Sequence, residues 1–140
     1  MKKFAFELEK VLEFRNLEKE QAEGQLAKAL AVENQINENL MEIARQYTAA
    51  KNSMKGSKNF DDLMSLSRFN NLLDYQKEEL LKQLAQAKIV TEEKRQVLRE
   101  CMKKTTALEK LKEKELDEWK ALSDYEEAEA MDEMKNKIKG

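Results

Sequence analysis

The twelve residues KNSMKGSKNFDD, numbers 51–62, interrupt a chain that otherwise has the pattern of long α-helices. Lys51 carries positive charge where it stabilises the negative end of a helix, and Gly56 can adopt the left-handed conformation that ends one. Asn59 is a favourable N-cap, and the Asp61–Asp62 pair suits the first turn of a second helix. A stop signal followed at once by a start signal predicts two helices joined by a short loop.

On each side of this break, apolar residues recur at alternating spacings of four and three, the pattern of a coiled-coil stripe. The first stripe contains Ala22, Leu26, Ala29, Glu33, Ile36, Leu40, Ile43, Tyr47, Ala50 and Met54. The second contains Leu63, Leu66, Asn70, Leu73, Lys77, Leu80, Leu84, Ala87, Thr91, Lys94, Leu98, Cys101, Thr105 and Leu108, and then slips by one place to Leu111.

Because short loops join antiparallel helices, the sequence predicts an all-α fold, an antiparallel coiled-coil hairpin in a single domain. Helix one is expected over about residues 4–54, the loop over about 55–59 and helix two over about 60–136. With the loop centred near residue 57, Glu33 is expected near Lys82, and Arg15 near Glu100.

The two predicted helices differ in length. At 1.5 Å per residue, helix one spans about 75 Å and helix two about 115 Å. Helix two therefore has no intramolecular partner beyond about residue 110, although this overhang carries Leu116, Trp119, Leu122 and Tyr125. We expect that a partner protein covers this apolar stripe. The alternatives are that this end bends back or pairs with a second copy of the chain.

Composition limits the possible functions. Of the 140 residues 39% are charged, yet the net charge is only −2, which leaves no basic excess for binding nucleic acid. The apolar runs are too short to cross a membrane. Cys101 is the only cysteine and cannot form an internal disulfide, in keeping with a reducing, cytoplasmic location.

The sequence lacks two of the commonest features of catalytic sites. There is no histidine, and the three glycines are too scattered to form a phosphate-binding loop. The acidic run EEAEAMDE, 126–133, lacks the turn glycine and ligand spacing of a calcium loop, so it is interpreted as a solvated helix end. We expect no enzyme activity, no cofactor and no metal.

The stretch FAFELEKVLEFRNLEKEQAEGQLAKAL, 4–30, resembles the amino-terminal pattern of the FliJ family of flagellar export proteins. That pattern has two aromatic residues one apart, then Leu, a Val-Leu pair, an Arg and a Glu/Ala-rich helix. It is carried here by Phe4, Phe6, Leu8, Val11, Leu12, Arg15, Glu20 and Ala22. LEKLKEKELDEW, 108–119, and the Asp132-Glu133 pair agree with it.

The resemblance implies a stalk-like coiled coil of the flagellar type III protein export apparatus, which serves motility and chemotaxis. It implies binding to the hexameric export ATPase through the paired chain ends, promotion of ATPase assembly and activity, and contact with the export gate and with export chaperones. A monomer at the base of the flagellum is expected. The ATPase-binding residues would be Phe4, Leu8, Leu12, Trp119, Leu122 and Tyr125.

The resemblance also places a gate-binding surface on early helix two. An aromatic residue followed four places later by Leu corresponds to Phe69 and Leu73, with Leu72 beside them; the small residue of the family pattern is replaced here by Gln76. Phe69 and Leu72 either bind the gate or broaden the seam between the helices. The alternatives for the whole chain are a homodimeric coiled-coil scaffold or chaperone, and the equivalent stalk of a virulence-type secretion system.

Overall fold

The computed structural model describes residues 3–57 and 59–139, and it consists of two long helices that pack against each other. Helix α1 runs over Glu9–Ser53 and helix α2 over Phe60–Lys139, with 45 and 80 residues respectively. No strand occurs in these described ranges. The predicted all-α antiparallel hairpin, with the second helix longer than the first, is confirmed.

The connection between the helices uses the capping groups that the sequence predicts. Gly56 has a φ of 84°, and the Ser57 amide donates to the carbonyl of Met54 (3.1 Å), which closes the turn after α1. The side-chain oxygen of Asn59 accepts a hydrogen bond from the Asp61 amide (2.9 Å), as an N-cap does. Lys58 lies outside the described residues. The backbone groups at the end of α1 and the start of α2 thus find hydrogen-bond partners within the turn, and the chain can reverse there.

The chain forms two compact units. The loop unit is Ala22–Val97, and the terminal unit combines Met1–Gln21 with Leu98–Gly140. In the core of the loop unit, α1 contributes four residues that are seven places apart. Helix α2 contributes one fully buried leucine and two smaller residues. These core residues are Ala22, Ala29, Ile36, Ile43, Leu73, Ala87 and Thr91. The seven-residue spacing is that of a coiled-coil stripe, and burial of this stripe is what stabilises helices of such polar composition.

Two threonines are fully buried in the seam of α2, and each donates a hydrogen bond to α1. In the loop unit, the Thr91 hydroxyl lies 2.6 Å from Glu33 Oε2 and 3.0 Å from the carbonyl of Ala87. In the terminal unit, the Thr105 hydroxyl donates to the carbonyl of Arg15 (3.3 Å). Because both hydroxyls have acceptors, their burial does not leave an unpaired polar group.

These contacts correct the predicted pairing in the loop unit. Glu33 faces Thr91 rather than Lys82, and Lys82 instead lies 3.5 Å from Glu79 on its own helix. Lys82 is exposed, so it pairs with the nearest carboxylate on its own helix rather than with one across the seam.

The terminal unit corrects a second predicted pair. The Arg15 guanidinium binds Glu18 (2.7 Å) and Glu100 binds Lys103 (3.4 Å), each three residues away on the same helix. Such exposed or half-exposed ion pairs contribute about 0–1 kcal/mol to stability and form wherever a partner of opposite charge is near. They therefore do not identify which residues of α1 face which residues of α2.

The start of α1 also differs from the prediction. The helix begins at Glu9 rather than near residue 4, and the Glu9 amide donates to the carbonyl of Phe6 in the turn that precedes it (3.1 Å). Phe6 is buried and therefore anchors the non-helical segment that precedes α1. At the other end, α2 extends three residues beyond the predicted position, to Lys139.

Candidate partner-binding surfaces

The segment of residues 3–8, which we name the N-terminal clasp, folds against α2 within the terminal unit. The Phe4 ring lies 6.1 Å from the Trp119 ring, at an interplanar angle of 58°, the tilted arrangement that aromatic pairs favour. Just after the clasp, Glu9 Oε2 lies 2.7 Å from Lys112 Nζ. The clasp therefore covers a part of α2 that was expected to be uncovered.

The predicted overhang consequently begins later than residue 110. Lys112 and Trp119 both have partners at the amino-terminal end of the chain. Leu111 is 37% exposed and the side chain of Lys112, which pairs with Glu9, is exposed to the same fraction, so the slip to Leu111 stays a prediction. From Lys120 to Ile138 every side chain is exposed except that of Ser123, which is half-buried. The uncovered part of α2 is therefore this last stretch.

The six residues predicted to bind the ATPase fall into three environments. Phe4 and Trp119 are half-buried against each other, and Leu12 is only 5% exposed in the core of the terminal unit. Leu8, Leu122 and Tyr125 are exposed. The structure thus brings Phe4 and Trp119 together and leaves Leu122 and Tyr125 on the uncovered stretch. Leu12 is too deeply buried to contact a partner.

Tyr125 is held by its own helix. Its hydroxyl donates a hydrogen bond to Glu129 Oε1 (2.7 Å), one turn further along α2. This bond, with a smaller contribution from desolvation, raises the pKa of Tyr125 above its ordinary value. The ring stays exposed, so the bond orients an aromatic side chain that remains available for contact.

Three further apolar residues lie on the same stretch, beyond those predicted to bind the ATPase. Met131, Met134 and Ile138 are all exposed. With Leu122, Tyr125 and Ala128, the two methionines form a row in which each residue follows the previous one by three places. A uniform spacing of three, rather than alternating spacings of three and four, is the sequence signal that identifies this row.

The four residues predicted to bind the gate lie in the loop unit. Leu73 is 1% exposed and packs in the core, whereas Leu72 is 51% exposed and Gln76 is also exposed. Phe69 is exposed at the edge of an open groove of about 500 Å³ between the end of α1 and the start of α2. The groove is lined by Gln46, Ala49, Ala50, Ser53, Met54, Ser65, Leu66 and Phe69. The surface that remains available consists of Phe69, Leu72 and Gln76.

Other kinds of site are absent from the part of the chain that the structure describes. It contains no group of three or more His, Cys, Asp or Glu residues placed to hold a metal ion. No helix within it is both long enough and apolar enough to cross a membrane. Cys101 is a free thiol, half-buried on the seam side of α2.

Replacing Phe4 with alanine is expected to shift the fluorescence of Trp119, the only tryptophan, to longer wavelength and to increase its quenching by acrylamide. The substitution removes the ring that covers the indole, a contact worth about 0.5–1.5 kcal/mol beyond the area it buries. Phe14→Ala is the control, because Phe14 is exposed and has no ring contact with Trp119. An unchanged spectrum in the Phe4 variant would contradict the position of the clasp.

Comparison with known protein families gives a match over nearly the whole chain. The family model described as "FliJ: Flagellar FliJ protein" matches residues 4–137, which is nearly the whole chain. Neither the comparison with curated proteins nor that with solved structures gave a match.

Proposed function

Because this chain belongs to the flagellar FliJ family, we propose that it is a non-enzymatic stalk of the flagellar type III export apparatus. In this proposal it binds the hexameric export ATPase, promotes its assembly and activity, and links it to the cytoplasmic domain of the export gate. Export chaperones are its further partners, and it acts as a monomer in the cytoplasm at the base of the flagellum. The family match favours the flagellar system over a virulence-type one.

The uncovered end of α2 is the observation that carries the ATPase proposal. Most of the stripe of α2 before Lys120 is buried or half-buried, but Leu122, Tyr125, Met131 and Met134 are exposed. Exposed apolar side chains that follow one another over several turns are a typical surface for a partner to cover. A helix that extends beyond its intramolecular contacts also has a shape that can enter a narrow opening in an assembly.

Titration of this protein into its cognate export ATPase tests the proposal. The full-length chain is expected to raise the turnover of the ATPase and to saturate well below one copy per ATPase subunit, because one stalk serves a whole ring. A chain that ends at Trp119 keeps the clasp and its contact with α2, yet lacks the uncovered stretch. This truncated chain is expected to give no stimulation.

The outcomes separate the two main candidates. If neither form changes the turnover or the oligomeric state of the ATPase, the stalk proposal is wrong. A stable dimer of the full-length chain in light scattering, lost on truncation, would instead favour a homodimeric scaffold held together by the same stretch. Circular dichroism of the truncated chain shows whether the remaining helices are folded.

For the gate, Phe69→Ala is expected to weaken binding of the export-gate cytoplasmic domain by about 1–2 kcal/mol, the range typical of an aromatic contact residue. The melting temperature should change little, because Phe69 is exposed. Phe60→Ala, at another exposed aromatic residue of α2, is the matched control and should bind normally. Unchanged binding together with a lower melting temperature would assign Phe69 to packing.

A further inference from the structure

A line of exposed residues runs along α2 within the terminal unit, on the side away from α1 and from the N-terminal clasp. Its members follow one another by three or four places, about 3.6 on average, so they stay on one side of the helix. Thr105, Lys112 and Trp119, which contact α1 or the clasp, point to the other side. We name this line the outer face. It consists of Arg99, Lys103, Thr106, Lys110, Glu113, Asp117, Ala121, Asp124 and Ala128, with Met102, Lys114 and Tyr125 at its edges.

Charge changes sign along the outer face. The charged residues of its amino-terminal half, up to Lys110, are all basic, and those of its carboxy-terminal half, from Asp117 onward, are all acidic. Between the halves, Glu113 is next to Lys114. When two copies of α2 lie antiparallel, the basic half of each copy meets the acidic half of the other. The outer face is therefore complementary to itself, as the interface of a two-fold dimer has to be.

A two-fold axis between Glu113 and Lys114 places the outer faces of two antiparallel copies directly opposite each other. Facing residues then lie equally far from the axis on the two helices, and each facing pair occurs twice. Lys103 also pairs with Glu100 on its own helix (3.4 Å), but such an exposed pair is weak and can exchange partners. Opposite charges meet in three of the facing pairs, which are Lys103 with Asp124, Lys110 with Asp117, and Glu113 with Lys114.

The charges also oppose a slide of one copy along the other. A slide of one heptad keeps nearly the same sides of the two helices together. In one direction, however, it brings Lys110 opposite Lys110 of the second copy, and in the other direction it brings Asp117 opposite Asp117. Like charges so close to each other oppose binding. Among pairings that differ by a heptad, the charge pattern therefore favours the one with its axis between Glu113 and Lys114.

The uncharged residues fit the same pairing. Thr106 lies opposite Ala121, so small side chains allow the two helices to approach each other closely. At the edge of the interface Met102 lies opposite Tyr125, and a thioether beside an aromatic ring is a favourable contact. These two side chains are 48% and 61% exposed in the single chain. An open groove of about 540 Å³ beside Met102 provides room for the ring.

We propose that the outer face binds a second copy of this chain, and that copies not engaged with the export ATPase form antiparallel two-fold dimers. The outer face has few large apolar residues, so charge pairs hold the dimer and it dissociates readily. Under the proposed function, pairing has a consequence for the uncovered stretch of α2. Because the second copy covers Tyr125 and Ala128, a chain has to leave the dimer before this stretch can bind the ATPase.

Sedimentation velocity of the full chain measures the pairing. A monomer–dimer equilibrium is expected in about 0.1 M salt. In about 1 M salt the screening length falls from about 10 Å to about 3 Å, and the dissociation constant is expected to rise about tenfold or more. A chain that stays monomeric up to millimolar concentration would overturn the inference. So would a dimer that persists in high salt, since apolar residues of the uncovered stretch would then hold it.

Reversal of one charge pair tests which residues face each other. Lys110→Asp places aspartates opposite each other twice in each dimer, and Asp117→Lys does the same with lysines. Each substitution is therefore expected to raise the dissociation constant about tenfold or more. The two substitutions combined restore opposite charges without changing composition or net charge, and this variant is expected to dimerise as the unaltered chain does. If the combined variant dimerises as weakly as the single ones, the inference is wrong.

Lys104→Asp and Glu126→Lys are the matched controls. Both residues are exposed and point away from the outer face, and the substitutions make the same changes of charge. They are expected to leave the dissociation constant nearly unchanged, and circular dichroism shows whether all variants keep their helices. Equal weakening by the controls and by the outer-face variants would reflect net charge alone and would overturn the inference.

Disulfide formation tests the antiparallel direction. The only cysteine is first removed by Cys101→Ser, and Thr106→Cys and Ala121→Cys are then made in separate chains. The two positions are about 22 Å apart along one helix, so antiparallel copies of either variant keep their thiols apart. Under mild oxidation a mixture of the two variants is expected to form a covalent dimer, and neither variant alone. A covalent dimer of one variant alone would indicate parallel copies and overturn the inference.

These measurements contain no ATPase, which separates the dimer from the proposed function. If the chain does not dimerise through the outer face but stimulates the ATPase, only the dimer is wrong. If it dimerises but does not stimulate the ATPase, the stalk function fails and the dimer stands.

Discussion

Leu73→Ala is expected to lower the free energy of unfolding by about 2–5 kcal/mol, the range typical of a leucine truncated in a packed core. Leu73 is 1% exposed and is among the largest side chains that the protein buries completely. The substitution removes apolar contacts and leaves a cavity where α1 and α2 pack in the loop unit. Urea titration followed by far-ultraviolet circular dichroism measures the change.

The neighbouring residue supplies the control. Leu72→Ala makes the same chemical change at a side chain that is 51% exposed, and it is expected to shift the free energy of unfolding by less than about 1 kcal/mol. Equal effects of the two substitutions would contradict the packing of α2 on α1. The two variants also help to interpret binding experiments. Weaker gate binding by the Leu73 variant would follow from lost stability. Weaker gate binding by the Leu72 variant would follow from a lost contact with the gate.

Leu12→Ala, in the terminal unit, is also expected to lower the free energy of unfolding by about 2–5 kcal/mol. Leu12 is 5% exposed, although the family resemblance suggests that it contacts the ATPase. Its amide donates to the carbonyl of Leu8 (2.9 Å), so it lies in the first turn of α1, directly after the clasp. Urea titration of the full chain measures the loss.

Leu17→Ala serves as the comparison, because Leu17 lies on the same helix and is 51% exposed. A shift of less than about 1 kcal/mol is expected there. If Leu12→Ala left stability unchanged but abolished stimulation of the ATPase, Leu12 would be a contact residue after all and its burial in the terminal unit would be wrong.

The turn between the helices could be predicted from the sequence because its determinants are local. Gly56 has the positive φ that few other residues tolerate, and Asn59 can bind the amide two residues ahead in any chain context. The stripe of α1 could also be predicted from the sequence, because a spacing of seven places its members on one side of a helix whatever the partner is.

The pairing of positions across the hairpin could not be predicted in the same way. Charged residues on a helix find partners three places away, as Arg15 finds Glu18, so long-range charge matching carries little information. The deciding contacts involve Thr91 and Thr105, which occupy ordinary seam positions in the sequence pattern. Nothing in the sequence marks which of the many polar groups on α1 their hydroxyls bond.

The candidate surfaces were only partly predictable. The family resemblance assigns Leu12 and Leu73 to binding, yet both complete the core, because an apolar residue at a seam position has the same pattern in either role. The clasp could not be predicted because Phe4 and Phe6 fit a continued helix as well as an extended segment. The fold distinguishes these cases, since Phe6 is buried before α1 begins.

The buried Thr91 has a mechanical consequence. Two helices joined only by apolar side chains can slide past each other by a heptad and recover most of their packing, because one aliphatic layer resembles the next. The bond from Thr91 to Glu33 does not recur after such a slide, because the residues seven places before and after Glu33 on α1 are Leu26 and Leu40. A load applied along α2 therefore has to break this polar bond in shear before α2 can slide along α1 in the loop unit.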